Sequence, residues 1–196
     1  PEGWLKASSE ICRENKGLLI ADEIQSGLGR TGKLFACEHE NVRPDVVIIG
    51  KALSGGMYPV SAVVASQEIL GVFKPGDHGS TYGGNPLGSA IAREALKIII
   101  DEKLPQKSAE SGAYLMQKLN EIESPYIEQI RGKGLWVGIV LKPSAGGARR
   151  FCVALQERGI LAKETHENVI RLAPPLNITR SELDQAIAIL QEVLTQ

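Results

Sequence analysis

Two nearly continuous apolar runs constrain the fold of this chain more than any other feature. The first, residues 17–23, leads to Asp22, and the second, residues 45–51, leads to Lys51. Runs of this length, bounded by glycine and charge, are typical of strands that are buried on both faces of a parallel sheet. Open α/β sheets bind ligands outside the carboxyl ends of such strands, so we expect both side chains at a ligand-binding edge.

The two side chains suit one kind of cofactor chemistry. A partly desolvated amine such as Lys51 has a lowered pKa and can form a Schiff base. A carboxylate such as Asp22 at the same edge suits the protonated ring nitrogen of pyridoxal phosphate. Either residue alone could be an ordinary surface group, but both at strand ends favour a functional site.

Composition limits the possible partners. The chain has 196 residues and a net charge of −1, so it has no basic surplus for nucleic acid or a membrane surface. No apolar stretch is long enough for a membrane span. Cys12, Cys37 and Cys152 are widely spaced, which predicts reduced thiols in a cytoplasmic protein without a disulfide framework or zinc site.

The start of the chain suggests a fragment. A helical pattern over 4–14 leads at once into a central-type strand, and such strands need neighbours on both sides. We therefore expect a part of a larger protein, with an open sheet edge that aggregates or pairs with another copy. A natural small domain is the alternative.

The remaining pattern predicts α/β structure followed by a smaller α+β unit. We expect residues 1–104 to form the C-terminal part of a large α/β domain. A linking helix at 105–124 and a small domain at 125–196 should follow. The other predicted elements are helices at 86–102, 105–122 and 149–158, strands at 60–65, 135–141 and 169–172, and a last helix that begins after Thr179.

A glycine-rich run at 27–32 matches the dinucleotide pattern GxGxxG but lacks its context. Five residues separate its first glycine from Ala21, the last apolar residue of the strand, whereas the dinucleotide turn follows its strand directly. The same run resembles a phosphate-binding P-loop, but Leu34 stands where Ser or Thr should bind magnesium. A flexible loop is the better interpretation, and a nucleotide-binding module stays a minor alternative.

Two further segments contain candidate binding residues. Ser80 and Thr81 lie in a turn-rich loop ahead of a helix and could bind a phosphate, although the loop taken alone favours a plain turn with a helix cap. Arg171 lies inside an apolar strand and could form a structural ion pair or hold a substrate carboxylate. The three histidines show no metal-ligand spacing, so no metal site is predicted.

Residues 19–32 and 45–56 together resemble the two halves of the class III, pyridoxal-phosphate-dependent aminotransferase signature. Residues 50–63, 78–88 and 170–176 extend the resemblance, which is closest to the members that act on ornithine. It covers the whole chain but only the C-terminal half of a family member. It implies part of the large domain of a type I pyridoxal-phosphate-dependent transferase, with a mainly parallel sheet, followed by a small α+β domain.

The resemblance also implies roles for single residues. Lys51 would form the Schiff base and shuttle the proton, and Asp22 would pair with the ring nitrogen. Gln25 would bond the ring hydroxyl, and Arg171 would hold a substrate carboxylate. The hydroxyls of Ser80 and Thr81 would bind the cofactor phosphate of a neighbouring subunit.

The implied reaction moves the δ-amino group of ornithine to 2-oxoglutarate in a cytoplasmic homodimer. Because the N-terminal half of the family pattern is missing, we expect the isolated chain to be weak or inactive. The alternatives are an acetylornithine or 4-aminobutyrate-type aminotransferase and a non-catalytic truncated product.

Overall fold

The computed structural model describes residues 2–196, which pack as two compact units. The first contains residues 2–29 and 33–103, and the second contains residues 30–32 and 104–196. These units group residues by packing and do not define domains. The domain limits expected from the sequence therefore stay a prediction.

The first unit contains a three-stranded sheet of order β1-β2-β3, in which β1 is parallel to β2 and β3 is antiparallel to β2. The sequence predicts a mainly parallel sheet, and one of these two pairings is parallel. The elements are α1 (Trp4–Glu14), β1 (Ile20–Asp22), β2 (Val46–Ile49), β3 (Ala62–Ala65), α2 (Gln67–Leu70) and α3 (Pro86–Asp101), with short 3₁₀ helices at Ala36–Glu40 and Lys51–Ser54.

The first strand is shorter and more exposed than predicted. β1 has three residues, and the Ile20 side chain is 57% exposed. Within this chain β1 pairs with β2 on one side only, and the burial expected on both of its faces is not reached among these residues. The expectation holds better for β2, in which Val46 and Ile49 are buried.

Two helices begin at the caps that the sequence predicts. The Asn85 side chain accepts a hydrogen bond from the Gly88 N–H at 2.8 Å, and Pro86 occupies the first helical turn. Thr179 and Glu182 form a reciprocal capping box at the start of the last helix. In each case a side chain satisfies an N–H that the helix leaves without a backbone partner.

The second unit is an antiparallel sheet of order β4-β5-β7-β6 with helices packed against it. Its elements are α4 (Leu104–Asn120), β4 (Ile127–Lys133), β5 (Trp136–Leu141), α5 (Arg149–Glu157), β6 (Lys163–Thr165), β7 (Val169–Leu172) and α6 (Arg180–Thr195). The strands β4 and β6 are absent from the sequence prediction.

Strict alternation along β5 builds the core of the second unit. Val137, Ile139 and Leu141 are fully buried, and they join one apolar cluster with residues of α4, α5 and α6. Burial of such side chains is worth about 1.5–3 kcal/mol each, so β5 anchors the sheet. No helix within residues 2–196 is long and apolar enough to cross a membrane.

Candidate functional site

The ends of two parallel strands place Asp22 and Lys51 at the same edge of the first sheet. Asp22 is the last residue of β1 and pairs with Ile48 of β2, and Lys51 follows β2 after Gly50. Both Asp22 and Lys51 are exposed, and the Asp22 carboxylate accepts a hydrogen bond from the Ile24 N–H at 3.1 Å. The strand ends therefore place one carboxylate and one amine at the same edge of the sheet, and the amine is exposed rather than partly desolvated as expected.

Gln25 brings its amide to Lys51. The Lys51 Nζ donates a hydrogen bond to the Gln25 Oε1 across the strand ends. The loop that follows β1 thus supplies a polar partner for the amine. The resemblance implies that Gln25 bonds the ring hydroxyl, and neither the resemblance nor the sequence pattern predicts this contact with Lys51.

The Lys51 backbone has an uncommon conformation. Its φ angle is +45°, in the left-handed region, directly after the extended Gly50. Such a conformation costs about 1–3 kcal/mol and persists only where the surrounding structure enforces it. Six other described non-glycine residues, Lys16 among them, also have a positive φ, so this conformation alone assigns no role to Lys51.

A cavity of about 1000 Å³ lies beside Lys51 in the first unit, and Ser80 lines it as well. The Ser80 Oγ accepts a hydrogen bond from the Gly83 N–H at 2.9 Å, which shapes the loop before α3. Thr81 is exposed in the same loop. Lys51 and Ser80 thus line one cavity, although the resemblance assigns Ser80 to the cofactor phosphate of a neighbouring subunit.

Arg171 belongs to the second unit. It is half-buried in the middle of β7, between Gly138 of β5 and Lys163 of β6 in the ladder register. The other predicted site residues, Asp22, Gln25, Lys51, Ser80 and Thr81, belong to the first unit.

Glu23 is a site-proximal residue whose importance sequence reasoning missed. Its side chain is 3% exposed, and its carboxylate accepts hydrogen bonds from the Ser26 Oγ at 2.6 Å and the Cys37 N–H at 2.8 Å. Burial, together with the nearby Glu23 charge, raises the pKa of the Cys37 thiol to about 11. Glu23 thus ties the loop that carries Gln25 to the 3₁₀ helix that contains Cys37, and its only signal in the sequence is its place directly after Asp22.

We expect Glu23→Ala to destabilise the first unit. The change leaves the Cys37 N–H and the Ser26 hydroxyl without their acceptor. A buried polar group that loses its hydrogen-bond partner costs about 1–3 kcal/mol. Urea unfolding followed by circular dichroism measures the loss. Glu38→Ala, at an exposed position of the same 3₁₀ helix, is the control and should change the free energy of unfolding by less than about 0.5 kcal/mol. Equal losses in the two variants would contradict the assigned contacts.

The donor set fits pyridoxal phosphate. An exposed amine can bond to the cofactor aldehyde, and an exposed carboxylate at the same sheet edge can pair with a protonated pyridine nitrogen. The Ser80 hydroxyl and the backbone N–H groups of its loop suit a phosphate group. Within residues 2–196, no group of three or more His, Cys, Asp or Glu side chains could hold a metal ion.

Comparison with known proteins agrees with this chemistry. The family model described as aminotransferase class-III matches residues 1–194. An ornithine aminotransferase of Exiguobacterium sp. is 57% identical over 99% of this chain and 48% of its own length. One of Geobacillus sp. is 56% identical over 98% of this chain, also with 48% of its own length. The chain thus spans about half the length of these curated relatives.

Solved structures give the same result. The ornithine aminotransferase of Plasmodium yoelii superposes with a TM-score of 0.95 at 43% identity, over 99% of this chain and 52% of that one. The acetylornithine aminotransferase of Elizabethkingia anophelis superposes with a TM-score of 0.93 at 48% identity, over 99% of this chain and 49% of that one. These matches confirm the predicted α/β fold as part of a type I pyridoxal-phosphate-dependent transferase. The chain belongs to the class III aminotransferases.

Proposed function

We propose that this chain provides the catalytic lysine of a pyridoxal-phosphate-dependent aminotransferase that moves the δ-amino group of ornithine to 2-oxoglutarate. The products are glutamate semialdehyde and glutamate. The observation that carries the proposal is the placement of Asp22 and Lys51 at the carboxyl ends of two paired parallel strands, with Gln25 on the amine. Membership of the family supports it.

Each site residue has a role in this proposal. Bound pyridoxal phosphate supplies an electron sink for the substrate. Asp22 holds the proton of the ring nitrogen in place, and Gln25 orients polar groups at the ring. The Lys51 Nζ would hold the cofactor through its aldehyde carbon and, when free, would move the substrate proton.

Phosphate and carboxylate binding complete the proposed site. Ser80 and Thr81 bind the cofactor phosphate of a neighbouring subunit in a homodimer, which agrees with the exposure of both hydroxyl-bearing residues. Arg171 holds a carboxylate of glutamate or 2-oxoglutarate through a paired, charge-assisted contact. A cytoplasmic location is part of the proposal, supported by three free cysteines.

The choice of ornithine is supported by the names of the curated relatives at 54–57% identity. A second candidate donor is N-acetylornithine, because a solved acetylornithine aminotransferase is 48% identical to this chain. Both donors present a δ-amine, so they differ in the group at the α-nitrogen.

A donor panel tests the proposal on the whole protein that contains this chain. Ornithine, N-acetylornithine and 4-aminobutyrate are each supplied with 2-oxoglutarate, and glutamate formation is measured. We expect ornithine to give the highest kcat/KM. A higher value for N-acetylornithine would transfer the assignment to the second candidate, and no glutamate from any donor would overturn the proposal.

Cofactor attachment can be tested separately from turnover. The protein is incubated with pyridoxal phosphate and reduced with borohydride, and peptides are mapped by mass spectrometry. A single pyridoxyl group on Lys51 is the expected result. Labelling spread over several lysines would contradict the site. For the isolated 196-residue chain we expect weak or no turnover, and normal turnover by it would refute that expectation.

A further inference from the structure

The guanidinium of Arg30 forms hydrogen bonds just beyond one end of the β5–β7 ladder. Its Nη1 donates hydrogen bonds to the Leu135 carbonyl at 2.9 Å and to the Pro174 carbonyl at 2.6 Å. Val137 pairs with Leu172 in the ladder, so two residues further out Leu135 faces Pro174. Proline has no N–H and cannot continue the ladder. At this point, where the Pro174 backbone cannot donate to Leu135, Arg30 donates to the carbonyls of both residues.

The Arg30 backbone also forms hydrogen bonds in the second unit, to Leu135 and Ser108. Its carbonyl accepts hydrogen bonds from the Leu135 N–H at 3.1 Å and from the Ser108 Oγ at 3.0 Å. The Ser108 Oγ also accepts from the Leu135 N–H at 3.1 Å, and Ser108 is fully buried. We call Arg30, Ser108, Leu135 and Pro174 the Arg30 clamp.

The clamp differs from an ordinary ion pair. The hydrogen bonds of the Arg30 guanidinium go to two backbone carbonyls, and its burial lowers its pKa from the ordinary value. Arginine nevertheless stays protonated, so these are charge-assisted hydrogen bonds, which are stronger than neutral ones. The contacts fix backbone atoms, so they constrain the path of β7 beyond Leu172.

We propose that Arg30 is a positioning residue for Arg171. Arg171 is the third residue of β7 and lies three positions before Pro174, so the clamp fixes the strand end next to it. A guanidinium must be held to within about 0.5 Å and 10–20° to bind a carboxylate productively. The inference rests on the proposed function, in which Arg171 binds the substrate carboxylate.

Steady-state kinetics on the whole protein test the proposal. We expect Arg30→Met to raise the KM for 2-oxoglutarate by about 10- to 100-fold, the range found when the partners that orient a ligating group are removed. The kcat at saturating substrate should change much less. Arg30→Lys keeps a cationic donor and should raise KM less than Arg30→Met does. A loss of kcat in Arg30→Met with an unchanged KM for 2-oxoglutarate would overturn the proposal. If Arg30→Met does not fold, Arg30→Lys carries the same test.

A double-mutant cycle shows whether Arg30 acts through Arg171. In an Arg171→Met background, Arg30→Met should add little to the rise in KM, since the residue it positions is gone. If the two effects multiply in full, Arg30 acts independently and the proposal is wrong. Arg93→Met, at an exposed position of α3, is the matched control and should leave KM unchanged.

Hydrogen exchange separates the clamp from the reaction. The amides of residues 136–138 and 171–172 should exchange faster in Arg30→Met than in the unaltered protein or in Arg93→Met. Unchanged exchange would overturn the clamp, and faster exchange with an unchanged KM would overturn its link to Arg171. Failure of the proposed function is a different result, because the unaltered protein would then form no glutamate from any donor.

Discussion

Replacing Lys51 with alanine is expected to lower the kcat of the whole protein by at least about 10²- to 10⁴-fold, the contribution of a positioned proton-transfer group. The same variant should lose borohydride-dependent labelling by pyridoxal phosphate, because the amine that attaches the cofactor is gone. Glutamate formation from ornithine and 2-oxoglutarate measures the first effect, and peptide mapping measures the second.

A matched lysine controls for the backbone at this position. Lys51 has a φ angle of +45°, and Lys16 is also exposed with a φ angle of +55°. Lys16→Ala therefore places alanine in a similar left-handed conformation away from the strand ends, and it should keep both turnover and labelling. Retained labelling in Lys51→Ala, or equal losses in both variants, would show that the amine at position 51 is not the attachment point.

The second large effect is expected from Gly134→Ala, in the turn between β4 and β5. A Cβ at Gly134 would lie 2.5 Å from the Thr31 carbonyl carbon and 2.6 Å from the Gly32 nitrogen, and its φ is +55°. The left-handed conformation costs an alanine about 1–2 kcal/mol. Overpacking against backbone atoms adds about 1–3 kcal/mol. We expect a loss of about 2–5 kcal/mol in the free energy of unfolding, measured by urea titration.

Gly146→Ala isolates the steric part of this loss. Gly146 has a φ angle of +71°, but a Cβ there would meet nothing within 4 Å. The free energy of unfolding of Gly146→Ala should therefore fall only by the cost of the left-handed conformation. Losses of the same size at both positions would mean that residues 30–32 do not pack on this turn as closely as the structure shows.

The parts of the fold predicted from sequence are those with strong local signals. α1 runs over Trp4–Glu14 as predicted, and α3 begins at the Asn85 cap. β5 was predicted because residues 135–141 form an apolar run directly after the glycine-containing turn at 132–134. Periodicity and caps act within a few residues, so they are visible without knowledge of neighbouring strands.

The missed strands lack such signals. β4 is mostly polar, its half-buried residues Ile127 and Ile130 are three positions apart, and its pairing with β5 shifts register between Ile127 and Gln129. β6 has three residues, two of them charged. Both strands lie at the edges of the second sheet, where pairing with β5 and β7 determines the conformation more than local sequence does.

The candidate site was predictable in part for the same reason. Asp22 and Lys51 follow apolar runs, so topology places them at one edge. The contact between Lys51 and Gln25 and the burial of Glu23 depend on the path of a loop, which no periodicity describes. The role of Arg30 depends on Leu135 and Pro174, which lie more than a hundred residues away in the chain.

The membership of residues 30–32 in the second unit has a consequence for recombination between homologues. A crossover placed at residue 104 would appear to exchange one complete module. It would instead combine Arg30 from one parent with Ser108, Leu135 and Pro174 from the other. Chimeras of this family should therefore tolerate that crossover best when both parents have arginine at position 30 and serine at position 108, whose side chains make these contacts.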